Sequence, residues 1–313
     1  MARLVFMGSP EFAVPSLEAL LRAGHTVAAV YTQPDRPAGR GRTLTPSPVK
    51  AAALAHDLPV YQPERLRRVA SDELAALEPE VIVVVAYGLL LPQRVLDIPP
   101  RGCINVHPSL LPRHRGASPI AGAVLAGDPE TGVTIMQMDA GMDTGPILLQ
   151  ERVIVDPKDT TGTLTERLAP ISAELLVRTV DGWLQGQITP QPQDDAQATL
   201  TRLITKEDGL LDWTRNAAEL ARAVRAYQPW PGAFSHWRGQ TLKVLEAAAL
   251  PPTGENAAPG QVVSLPGKRG PAVGVQTGDG VLGLVRVQLE GRKAVTGEEF
   301  LRGARDFAGG RLD

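Results

Sequence analysis

The sequence predicts an α/β protein of two domains, a parallel-sheet, Rossmann-like domain followed by a small β-barrel or sandwich. Three observations predict it. The 313 residues exceed one ordinary domain and suffice for two cores. The first half alternates short apolar runs with amphipathic helical patterns, the signature of β/α units around a parallel sheet. Beyond about residue 206 the pattern changes to short strands separated by glycine turns at fairly regular spacing.

The elements follow in order. "RLVFMG", Arg3 to Gly8, is the first strand. Leu17, Leu20 and Leu21 then recur at helical spacing, with Pro15 near the helix start and Gly24 as a stop. "HTVAAVYT" is the second strand. Residues 33–50, "QPDRPAGRGRTLTPSPVK", are almost devoid of apolar side chains and read as a long functional loop, followed by a helix near "VKAAALAHDL". "EVIVVVAYG" is a fully buried central strand, β-branched on both faces. "GCINVH", "GVTIMQMD" and "ILLQERVIV" are three more strands. A long amphipathic helix over residues 159–186 is expected to kink or break at Pro170. The Gln-, Pro- and Asp-rich stretch after it reads as a linker, so the expected domains are 1–190 and 206–313, with 191–205 between.

Composition narrows the class. With 43% hydrophobic and 21% charged residues, neither disorder nor a membrane protein is favoured. A net charge of -2 excludes a uniformly basic nucleic-acid binder, although the part after Lys206 is slightly basic and the part before it acidic. The single cysteine, Cys103, excludes an internal disulfide, and no Cys or His cluster has zinc spacing. The start "MARLVFMGSPEF" has no signal-peptide pattern, and "VIVVVAYGLLLP" is too short and interrupted to span a bilayer. A metal-free cytosolic protein is expected.

Two polar residues interrupt the strand "GCINVH". Asn105 and His107 are two apart, so they leave the same face of the sheet, next to a loop at a strand's carboxyl end where open α/β sheets bind ligands. Such a pair is equally at home as satisfied structural polarity. An imidazole works best with a partner that fixes its charge, and "MQMDAGMDTG" offers Asp139 and Asp143; Asp143 is the choice, although loop aspartates are most often turn formers. Ala86 to Pro92, at the end of the buried strand, is suited to an apolar slot for a flat ring. Arg36, Arg40, Arg42 and Lys50 face only Asp35 within the 33–50 loop.

"MGSPEFAVPSL", "TQPDRPAGRG", "VVAYGLLLP", "INVHPSLLPRHRG", "GVTIMQMDAGMDTG" and "AYQPWPG" together resemble the methionyl-tRNA formyltransferase family, in order and spacing, over nearly the whole chain. The resemblance implies transfer of the formyl group of 10-formyltetrahydrofolate, a co-substrate, to the amino group of initiator methionyl-tRNA. It implies Asn105, His107 and Asp143 as catalytic residues, with Asn105 and His107 converging as donors on the formyl oxygen. Folate would be bound by Ser109, Leu110, Leu111 and Pro112 with Ala86, Tyr87, Gly88, Leu89 and Leu90. tRNA would be bound by Arg36, Arg40, Arg42 and Lys206, and the second domain would be a barrel like the oligonucleotide-binding (OB) fold. No metal, no membrane and no obligate protein partner are implied, and the setting is the bacterial cytoplasm. His114 stands where the family more often has an aromatic. Trp230 in "YQPWPG" suits a buried turn as well as an RNA contact.

Other readings share parts of this pattern. A formyltransferase acting on a purine precursor or amino sugar, or a hydrolase releasing formate, would use the same triad but has no need of the second domain and basic loop. A dinucleotide-binding dehydrogenase would need G-x-G-x-x-G where this chain has "MGSPEF". A non-catalytic RNA-binding module would leave the three polar residues as coincidence.

Overall fold

A computed structural model describes residues 1–38, 43–252, 257–265 and 270–313. The chain forms two compact units, the first of residues 1–119, 130–154 and 165–201, the second of residues 120–129, 155–164 and 202–313.

Up to residue 116 the first unit runs β1 (Arg3–Gly8), α1 (Val14–Arg22), β2 (Thr26–Tyr31), β3 (Arg36–Ala38), β4 (Thr43–Thr45), α2 (Pro48–Ala55), β5 (Val60–Tyr61), α3 (Arg68–Ala75), β6 (Val81–Val85), α4 (Gln93–Leu96), β7 (Cys103–His107) and β8 (Arg115–Gly116). There follow α5 (Pro119–Ala126), β9 (Glu130–Gln137), β10 (Ile147–Ile154), α6 (Thr161–Leu184) and β11 (Leu200–Thr201). One seven-stranded sheet has the order β10-β9-β7-β6-β1-β2-β5. The five strands from β7 to β5 are parallel, whereas β9 and β10 are antiparallel to their neighbours, so the sheet is mixed at one edge. All five residues of β6 are buried, as a central strand covered on both faces requires. From β1 the chain moves first to β2 and later to β6 on the other side, a reversal of strand order of the kind beside which open α/β sheets bind ligands.

Three local expectations change. Helix α6 runs uninterrupted for 24 residues through Pro170. The proline removes one backbone hydrogen bond, but Leu164, Leu168, Leu175, Leu176 and Val180 are all buried, and that packing holds the helix. Residues 33–50 contain a short antiparallel hairpin of β3 and β4 in place of a structureless loop. Residues 191–201 are no linker: Gln191 and Ile147 exchange backbone hydrogen bonds of 2.8 Å each way, and β11 pairs in parallel with β8.

The second unit holds α7 (Ala217–Ala226), β12 (Ala233–Trp237), β13 (Gln240–Leu250), β14 (Val262–Ser264), β15 (Val273–Gln276), β16 (Val281–Leu289), β17 (Val295–Thr296) and α8 (Gly297–Gly303). Its antiparallel sheet has the order β12-β13-β16-β15-β14 with β17 against β16, and register shifts around Glu246 bend β13 in the manner of a small barrel. Trp237, Phe300 and Phe307 meet edge to face at 4.8–5.6 Å in its core. Two early segments complete this unit: Arg222 Nε donates to Leu125 O at 2.8 Å, Arg225 Nη1 to Asp159 O at 2.9 Å, and Thr161 Oγ1 to Ala226 O at 2.6 Å. Among the described residues no helix is long and apolar enough to cross a membrane.

Candidate active site

The site is built on β7. Asn105 and His107 occupy alternate positions, Asn105 half-buried and His107 4% exposed. Among the described residues no hydrogen bond engages the Asn105 amide, which leaves donor and acceptor available on the face it shares with His107. Both nitrogens of His107 face protein groups. Nε2 lies 2.9 Å from the carbonyl oxygen of His114, which can only accept, so Nε2 carries a proton. Nδ1 lies 3.6 Å from Asp143 Oδ2. Burial pushes the His107 pKa below its usual value, against the opposing pull of Asp143 and the His114 carbonyl.

Asp143 reaches this position by an indirect path. Because β9 is antiparallel to β7 and Gln137 pairs with Ile104, the loop after β9 begins about 10 Å short of His107 along the strand. The loop therefore folds back over the sheet, with Asp143 at φ 55°, and its carboxylate accepts a 2.8 Å hydrogen bond from Gly116 N. Gly116 itself has φ 107°, and a Cβ there would lie 2.2 Å from Thr201 O, so only glycine allows β11 to approach. Asp139 is spent locally, accepting from Gly141 N at 3.0 Å and Thr144 Oγ1 at 2.7 Å, as a turn former does.

The loop after β7 is fixed from below. Thr134, opposite His107 on β9, donates to Ser109 O at 2.6 Å and accepts from Leu111 N at 3.1 Å, while Gln150 Nε2 donates to Leu111 O at 2.9 Å. Ser109 and Leu111 are thus buried, and Leu110 and Pro112 are half-buried. In the loop after β6, Tyr87 is buried and its phenol is pushed up to about 12 by burial, Leu89 is half-buried, and Ala86, Gly88 and Leu90 are exposed, Leu90 by 93%.

The basic segment is held at its base. Lys50 Nζ, at the start of α2, contacts Asp35 Oδ2 at 2.6 Å and Gln62 Oε1 at 2.7 Å, and Gln33 Nε2 donates to Tyr87 O at 3.1 Å. These bonds tie Lys50 to the scaffold. Arg36 is exposed, while Arg40 and Arg42 lie outside the described residues. In the second unit Lys206, Lys243, Phe234, His236, Gln288 and Glu290 line a cavity of about 480 Å³, and Trp230 is 58% exposed. No group of His, Cys, Asp and Glu among the described residues could hold a metal ion.

Residues 2–180 match the formyl transferase family, and residues 203–305 match the formyl transferase C-terminal domain. A methionyl-tRNA formyltransferase of Chloroflexus aurantiacus is 51% identical over 96% of both chains. One from Pseudomonas entomophila is 51% identical over 99% of both. The chain belongs to the methionyl-tRNA formyltransferase family. The fold recurs in a Helicobacter canadensis N-formyltransferase solved with folinic acid and dTDP-3-aminofucose, with TM-score 0.65, 16% identity and coverage of 94% of this chain and all of that one. HypX of Aquifex aeolicus, solved with tetrahydrofolic acid, matches with TM-score 0.60 and 17% identity over 98% of this chain, which spans 48% of that protein.

Sequence reasoning missed Arg115, Gln193 and Thr199 near this site. Arg115 is 5% exposed and donates through Nε and Nη2 to Gln193 Oε1 at 3.0 and 2.8 Å, and Thr199 Oγ1 accepts from His114 N at 2.8 Å. Gln193 and Thr199 fall in the polar stretch whose composition reads as a linker, where no pattern marks them.

Proposed function

We propose that this chain transfers the formyl group of 10-formyltetrahydrofolate to the α-amino group of initiator methionyl-tRNA, in the bacterial cytoplasm and without a metal. The observation that carries the chemistry is the approach of His107 Nδ1 to within 3.6 Å of the Asp143 carboxylate at the carboxyl end of β7, with Asn105 two residues earlier on the same strand. In formyl transfer to an amine, the amine nitrogen bonds to the formyl carbon, negative charge grows on the formyl oxygen, and the N10 bond then breaks. One proton leaves the amine and one arrives at N10.

Asn105, whose amide is unengaged, donates to that oxygen; a preorganised donor of this kind lowers the barrier by about 3 to 4 kcal/mol. In place of the expected donation to the formyl oxygen, His107 has its Nε2 proton committed to the His114 carbonyl and so works through Nδ1, taking the proton that the amine releases. Asp143 stabilises the imidazolium this creates. Burial keeps His107 neutral beforehand and therefore able to accept.

The loops fit the co-substrate. Leu90 stands 93% exposed in the loop after β6, an apolar side chain that a flat pterin would cover. Ala86 to Leu90 and Ser109 to Pro112 are the segments proposed to bind it. For tRNA, exposed Arg36 offers charge, Arg40 and Arg42 lie outside the described residues, and Lys206 with Lys243 lines the second unit's cavity together with the aromatic Phe234. The test is transfer of labelled formyl from the folate to charged initiator tRNA, with an amino sugar and water as competing acceptors. Formate release or sugar formylation without tRNA formylation would refute this reading.

A further inference from the structure

We infer that Gln193 is a positioning residue that holds the Asp143 loop in its folded-back path, an inference that rests on the catalytic reading of Asp143. Its amide is fully used and has one orientation. Nε2 donates to Asp143 O at 2.8 Å and to Gly145 O at 2.7 Å, and Oε1 accepts both hydrogen bonds from Arg115. Turning the amide over would set oxygen against two carbonyls and nitrogen against a guanidinium.

The loop needs such a holder. It leaves β9 opposite Ile104, must double back to reach His107, and passes through Asp143 at φ 55°, a conformation an L-residue adopts at a cost. Gly116 N, the neighbour of Arg115, binds the Asp143 carboxylate from the other side. Backbone and side chain of Asp143 are therefore referred to one short piece of chain, Arg115–Gly116, the backbone through Gln193 and the carboxylate directly. Arg115 is in turn fixed by Asp195 Oδ1 at 2.6 Å, two residues beyond Gln193.

The experiment compares Gln193→Ala, Gln193→Glu and Asp143→Asn, with turnover normalised to the folded fraction from near-ultraviolet circular dichroism. Gln193→Ala is expected to lower kcat by about 30-fold, the scale of a displaced catalytic group, while KM for the folate and for tRNA stays within about twofold. Gln193→Glu keeps the size and the Arg115 contact but turns two donors into an acceptor facing carbonyls, so it is expected to lose at least as much. In both variants the acid limb of the kcat/KM profile should move to lower pH, because His107 loses part of the charge that favours its protonated form. If Gln193→Glu turns over like the wild type, or if kcat falls with no movement of the acid limb, the inference is overturned. An active Asp143→Asn would instead remove the catalytic reading beneath it, so the two failures are distinguishable.

Discussion

Residues 33–50 and residues 187–201 look alike as sequence, both polar, rich in proline and poor in apolar side chains, yet they are held in different ways. The later stretch is sewn along its length to the site. Gln191 binds Ile147, Gln193 binds the Asp143 loop, Asp195 binds Arg115, Thr199 binds His114, and Thr201 Oγ1 donates to Arg115 O at 3.0 Å. The earlier stretch is fastened at its base, through Gln33 and Asp35 on one limb and Ser47 and Lys50 on the other, with β3 and β4 paired beyond them. Composition alone does not decide whether a polar segment is ordered. What decides is whether its side chains meet backbone groups that would otherwise go unpaired. On the proposed reading, the later stretch serves the geometry of Asp143 and the earlier one serves the tRNA.

That contrast can be broken by substitution. The largest effect is expected at the target of the later stretch: Asp143→Asn should lower kcat by about a thousandfold with little change in melting temperature, measured by single-turnover formyl transfer. Thr199→Val, which removes the acceptor for His114 N and loosens the carbonyl that holds His107, should cost about tenfold in kcat and leave both KM values alone. A KM effect there would erase the distinction between the two segments. On the earlier stretch, Asp35→Ala should raise KM for tRNA about fivefold with kcat unchanged, and Arg36→Ala should reduce the slope of log affinity against log salt by about one.

A smaller effect concerns stability. His107 and His25 are both held below their usual pKa of 6.5 by burial, so the unfolded chain binds more protons than the folded one as the medium turns acid. Their contribution is complete above pH 6.5 and is lost as pH falls through that value towards the folded pKa. Melting temperature should fall between pH 7 and pH 5, and His25→Gln should flatten the fall.

Strands β1, β2, β6 and β7 were legible because a parallel sheet covered on both faces needs unbroken apolar runs, and the period of two in β7 placed Asn105 and His107 on one face. Asp143 was legible only as one of two loop aspartates; the fold gave the other, Asp139, to a local turn. Gln193 had no signature, since its amide donates to main-chain carbonyls that every residue carries, and neither did the pairing of Arg115 with Gln193 and Asp195, which lie far from it along the chain. The antiparallel edge of β9 and β10 was equally hidden, because apolar runs do not encode direction. Helix α8 carries its own sequence signal, the capping box of Thr296 and Glu299. Trp230, left open between a buried turn and a surface contact, is exposed, whereas Trp213 and Trp237 fill the core.

The second unit's use of residues 120–129 and 155–164 means that no single scission of the chain, or of its gene, yields two self-sufficient pieces. A fragment starting at Arg202 would lack Leu125, Asp159 and Thr161, leaving Arg222, Arg225 and the Ala226 carbonyl without the groups that meet them. Evolutionary exchange of the carboxy-terminal half between relatives must therefore carry compatible partners within the amino-terminal half.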